Sequence, residues 1–63
     1  MNDYYIMRLR ESKRGVTWTY WQGPLPYEEA ERRAALAGRY RFPGLLKGDV
    51  LLVMKLISKW IAG

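Results

Sequence analysis

The 63-residue chain contains no cysteine and no histidine. The first absence excludes disulfides, and the two together remove the thiolate and imidazole ligands of zinc sites. They also remove the common nucleophile–base pairs of covalent catalysis. Carboxylates are few: Asp3, Glu11, Glu28, Glu29, Glu31 and Asp49. Three of these crowd one segment, and a chain this short scarcely builds a cleft with two acids facing across it. No phosphate-cradling loop is present, because Leu45 and Leu46 interrupt Gly44–Gly48 and no Gly-Lys-Ser/Thr follows. The sequence therefore points away from an enzyme, and it calls for no metal and no cofactor.

Long hydrophobic runs are missing as well. The most apolar stretch, Val50 to Ile57, is far shorter than the roughly 20 residues that span a bilayer. Residues 1–5 open with polar Asn2 and Asp3 and lack a basic region followed by an apolar one. The expectation is a cytoplasmic protein without a transmembrane segment.

What the chain has is apolar mass and positive charge. Hydrophobic residues make up 49%, with three tryptophans, five tyrosines and one phenylalanine, enough aromatic area to build a core in one small domain spanning residues 1–63. Domains of this size hide a modest share of their surface and gain from self-association, so a homo-oligomer is expected. Eleven basic residues against six acidic ones give a formal charge of +5. Such a field favours nucleic acid, acidic protein surfaces or anionic headgroups, and it also serves solubility.

Tyr4–Arg10 and Val16–Trp21 both alternate with period two and are rich in aromatic and β-branched residues, as strands are. The segment Ser12-Lys13-Arg14-Gly15 between them is a hairpin signal. A four-residue loop pairs Glu11 with Val16, Leu9 with Trp18 and Met7 with Tyr20. It gathers Tyr5, Met7, Leu9, Val16, Trp18 and Tyr20 on one face, expected to be the buried one because slipping by one residue exchanges the faces. The two prolines of Gly23-Pro24-Leu25-Pro26 are expected to end the hairpin, with Pro26 in the first turn of a helix.

Tyr27–Ala37 is the clearest helix, with acids first and arginines after. Glu28–Arg32 and Glu29–Arg33 stand at i,i+4, Tyr27, Ala30, Ala34 and Ala37 form a narrow stripe, and Gly38 is the expected stop. The run Val50–Ile57 fits a buried strand or an amphipathic helix. The strand is preferred, since a hairpin needs a third strand for stability. The fold class is then α+β: ββαβ, a three-stranded antiparallel-type sheet with one helix packed on one face. The alternative is a β-hairpin with two helices.

On this reading the other hairpin face, Tyr4, Ile6, Arg8, Arg10, Thr17, Thr19 and Trp21, is open and is the candidate partner-binding surface. Arginine, tyrosine and tryptophan dominate binding hot spots, and the same mixture stacks bases and grips phosphates in sheet-based single-strand binders. Arg8→Glu with Trp21→Ala is expected to abolish binding and spare the fold. Lys13 and Arg14 at the hairpin tip are candidate contacts to phosphate or an acidic partner, although charged turns are commonly just solvated. A helical tail with Lys47, Lys55 and Lys59 outward and Trp60 as anchor would suit a membrane surface; otherwise its apolar residues complete the core.

The run Thr17-Trp18-Thr19-Tyr20-Trp21-Gln22-Gly23-Pro24-Leu25, followed by Glu28-Glu29-Ala30-Glu31-Arg32-Arg33-Ala34-Ala35, resembles a pattern in small orphan accessory proteins of temperate phages and GC-rich bacteria. The resemblance covers about a third of the chain. It implies a phage-type inhibitor that binds and blocks a host protein. Residues and resemblance together favour a non-catalytic protein-binding module whose partner is a host or cellular protein with an acidic surface. Nucleic-acid binding through the hairpin face is the alternative, and membrane-surface binding through the C-terminal segment the third.

Overall fold

Alternating aromatic and β-branched residues from Tyr4 onward form two long strands joined by a tight turn. The computed structural model describes residues 1–63. Its elements are β1 (Tyr4–Ser12), β2 (Gly15–Leu25), α1 (Tyr27–Arg39) and β3 (Val50–Lys55). The strands make one antiparallel sheet in the order β2-β1-β3, and α1 packs on one side of it. This is the ββαβ arrangement, with Val50–Lys55 a strand and not a helix.

The hairpin has the register the sequence predicts: Glu11 opposite Val16, Leu9 opposite Trp18, Met7 opposite Tyr20. The ladder runs one pair further, to Ser12 and Gly15, so only Lys13 and Arg14 lie in the turn. Gly15, at φ +121°, takes the backbone conformation the turn exit requires.

Two features differ from expectation. The prolines do not end β2 early, because the strand continues through Gly23 and Pro24 until Leu25 faces Tyr4. β2 is an edge strand, and its register shifts twice near this end, where a residue without an N–H is tolerated. Gly23 is required there: its φ is +130°, and a Cβ would sit 2.8 Å from the Tyr4 carbonyl oxygen. The helix, in turn, passes through Gly38 to Arg39, whose charge suits the C-terminal end of the dipole. Glycine stops a helix by adopting positive φ, and Gly38 does not. At the other end Pro26 is the N-cap, and its carbonyl accepts the Ala30 N–H at 3.0 Å.

The core is small. Ile6 at the centre of β1 and Ala30 on α1 are the fully buried residues. Val53 lies beside Ile6, and Leu51 beside Arg8, on the same side of the sheet. Ala34, Ala37, Leu45 and Leu51 line one crevice next to this centre, so alanines let α1 lie close to the strands.

Candidate protein-contact surface

The two faces of the sheet exchange the roles that the sequence suggests. The side facing α1 and the 40–49 connection carries Tyr4, Ile6, Arg8, Arg10, Thr19 and Trp21. Tyr4 meets Tyr27 edge-on at 5.0 Å between ring centres, and Trp21 meets Phe42 edge-on at 6.0 Å. Ile6 is fully buried. Thr17, opposite Arg10 near the turn, is exposed. The expected open face is therefore the covered one. Period two states which residues share a face but not which face a helix will take.

The arginines can occupy the covered side because acceptors meet them there. Arg10 makes a two-pronged contact with Asp49, Nε to Oδ1 at 2.8 Å and Nη2 to Oδ2 at 2.7 Å. The Leu46 N–H also donates to Asp49 Oδ2 at 2.8 Å. The Gly44 carbonyl accepts from both Arg8 and Arg10 at 3.2 Å, and Thr19 Oγ1 accepts from Arg8 at 3.3 Å. The Asp49 side chain is only 5% exposed, so its charge is retained by these partners. Hydrogen bonds from Arg10 first, and then from the Leu46 N–H, hold its carboxyl well below the usual carboxylate range. The same contact raises Arg10 above its ordinary value. Arg8 Nε is buried without a partner, a cost this cluster carries. These residues clamp the connection onto the sheet.

The opposite side of the sheet has no cover. Pairing places Tyr5 beside Met54, Met7 between Tyr20 and Leu52, and Leu9 between Trp18 and Val50. With Val16 they form a nine-residue apolar face across all three strands. Val16 is 54% exposed, Trp18 53% and Tyr20 55%, and Val50 and Met54 are nearly as open. Tyr20 is held in position, since its hydroxyl donates to the Gly23 carbonyl and its ring meets Tyr5 edge-on at 6.2 Å. Edge-strand aromatics so fixed offer area at little entropic cost.

The alternation in the two hairpin strands groups their side chains on this face correctly and predicts them buried, whereas the structure leaves the face open. The missed signal lies in β3, which presents apolar residues to both sides: Leu51 and Val53 toward the helix, Val50, Leu52 and Met54 away from it. One short helix covers one side only.

The remaining candidates are more ordinary. Lys13 and Arg14 are exposed at the turn, apart from an Arg14 N–H to Ser12 Oγ contact at 3.3 Å. After Lys55 the chain has no regular structure, so the helical tail is not formed. Ile57 and Trp60 are 92% and 91% exposed, and neither completes the core. No helix is long and apolar enough to cross a membrane. On α1, Glu29 binds both Arg32 and Arg33, and the expected Glu28–Arg32 pair is absent. A hollow of about 650 Å³ lies at the C-terminal end of α1. Arg39, Arg41 and Lys47 line it, and its one carboxylate is Asp49, already bound to Arg10.

With this geometry in place, comparison adds no family: no family model matches the chain, nor does any curated protein or solved structure.

Proposed function

We propose that this chain is a small non-catalytic protein-binding module whose contact surface is the open sheet face. The observation that carries the reading is the apolar face of Tyr5, Met7, Leu9, Val16, Trp18, Tyr20, Val50, Leu52 and Met54, left bare by a helix on the other side. A contiguous apolar area of this size stands at the upper end of what monomeric domains leave in water and commonly marks a contact site, and the centres of protein interfaces are rich in tyrosine, tryptophan and methionine. None of the nine positions carries a cation. A single-strand platform would need cations beside its stacking rings, so protein is favoured over nucleic acid. The exposed Lys13 and Arg14 at one end of the face suit a partner with acidic residues around its own apolar patch. A phage-type inhibitor seated on a host protein is one form of such a module.

Tagged chain incubated with bacterial lysate, with and without nuclease, tests the reading. A discrete protein should be retained after nuclease by the wild type and by Arg14→Ser, and lost by Trp18→Ser. Retention undiminished in Trp18→Ser would overturn it, as would bands that vanish with nuclease. The pair Arg8→Glu with Trp21→Ala now probes folding, because both side chains contact the covering layer.

A further inference from the structure

We infer that the first occupant of the open face is a second copy of this chain, packed sheet against sheet about a two-fold axis parallel to β1. The inference rests on reading that face as a protein contact, and it names the partner.

Three observations lead to it. The first is the shortage of core: one copy fully buries only Ile6 and Ala30. A domain with so little interior gains most from a surface supplied in equal amount with itself.

The second is area. With aromatic side chains of roughly 150–250 Å² each, half-exposed Trp18 and Tyr20 alone offer on the order of 200 Å². Adding the other seven positions brings the face to on the order of 600 Å² per copy, against about 800 Å² per partner in a standard interface. The exposed tail residues Ile57, Trp60 and Ile61 follow β3 directly and can supply the difference by crossing onto the partner.

The third is self-complementarity. In the order β2-β1-β3 the two half-exposed rings of the ladder, Trp18 and Tyr20, lie on one edge, and Val50, Leu52 and Met54 on the other. Rotation by 180° about an axis along β1 lays each aromatic edge over the partner's aliphatic edge. Trp18 and Val50 share the level of Leu9, so Trp18 falls over the partner's Val50. By the same pairing Tyr20 falls over the partner's Leu52, and Met7 lies near the axis. The result is a four-layer helix–sheet–sheet–helix body with its sheets about 10 Å apart.

Charge permits this contact. Each copy is +5, but no cation lies among the nine positions, and the acid on the same face, Glu11 opposite Val16, falls at the turn end with Lys13 and Arg14. The same axis brings both Lys13-Arg14 tips to one end of the pair. The repulsion between them is screened by salt, so added salt should tighten the pair. A nucleic-acid complex would respond in the opposite direction.

Sedimentation equilibrium of the full chain, joined to cross-linking, decides the matter. The wild type should sediment at twice its 7.4 kDa mass at micromolar concentration. Trp18→Arg, folded by circular dichroism, should sediment at the single mass under the same conditions. Because the chain has no cysteine, Met7→Cys creates one thiol near the axis. A short bismaleimide should join Met7→Cys copies into a two-chain band and leave copies of Ala35→Cys, on the exposed side of α1, unjoined. A folded wild type at the single mass overturns the pairing, as does a dimer that links through Ala35→Cys and not Met7→Cys. If a monomeric wild type still captures a protein that Trp18→Ser loses, self-pairing fails and the open face stands as a site for another partner. If it captures nothing that depends on Trp18, both readings fail together.

Discussion

The two faces of the central strand are built from opposite materials. Toward the helix β1 sends Tyr4, Ile6, Arg8 and Arg10; away from it, Tyr5, Met7 and Leu9. Simple partition would bury the second set and hydrate the first. The chain does the reverse because the layer over the arginines is polar where it meets them, with Asp49 and the Gly44 carbonyl, and apolar where it meets Ile6. A buried charge is tolerated when paired and hydrogen-bonded, whereas a buried alkyl group needs only a neighbour. Charge on a strand is thus a poor guide to its solvent side where the same chain supplies the counterion.

The largest expected effect breaks this contrast at its hydrophobic centre. Ile6→Ala removes a fully buried side chain and should cost about 2–5 kcal/mol, read as a fall in the urea midpoint. Val16→Ala, at the turn-end rim of the open face, should cost far less, no more than about 1 kcal/mol even with that face paired against a second copy. Equal losses at the two positions would mean that the faces are not distinguished as described.

Next in size is Asp49→Asn, which takes the anion from Arg10 and weakens the acceptor for the Leu46 N–H. Melting temperature should drop at neutral pH, with the 40–49 connection loosening first. The carboxyl is held below its ordinary value of 3.8 by Arg10, so its stabilising contribution is fully present above that value. It is lost as pH falls through the lower, folded value. The gap between wild type and variant should therefore be constant from neutral pH down to about 5 and close progressively in stronger acid. A gap that closes between pH 7 and 5 would contradict the assignment.

Much of the fold was legible from local pattern. Period two gave the hairpin and its register, since Glu11–Val16, Leu9–Trp18 and Met7–Tyr20 follow from matching faces across a short turn. Acids before arginines gave the helix, and the need for a third strand gave β3. The candidate site was legible as a set of residues and not as a place. Which face is covered follows from the α1 crossover between the parallel strands β2 and β3, with Asp49 then meeting Arg10 across 39 residues, and no local pattern encodes that strand order or so distant a contact. Pro24 misled for a related reason: it ends a central strand but not an edge strand with a shifted register, and strand order is a tertiary property.

The smallest effect sharpens the comparison between paired charges inside and outside the covered side. Glu29 is bound by Arg32 and Arg33, and Arg33 also donates to Gln22 at 3.0 Å, which ties α1 to β2. Hydrogen bonds from Arg32 and then Arg33 hold Glu29 below its ordinary value. Its side chain is 27% exposed where that of Asp49 is 5%, and both arginines reach well into water. Glu29→Gln should lower the melting temperature slightly in dilute buffer. In about 1 M salt, where the screening length is near 3 Å, that difference should vanish. The Asp49→Asn difference should largely survive the same salt, because screening ions cannot approach a carboxylate enclosed by the connection and the sheet. If salt erased both differences alike, the Asp49 clamp would be a surface pair, and burial of the arginine face would lose its explanation.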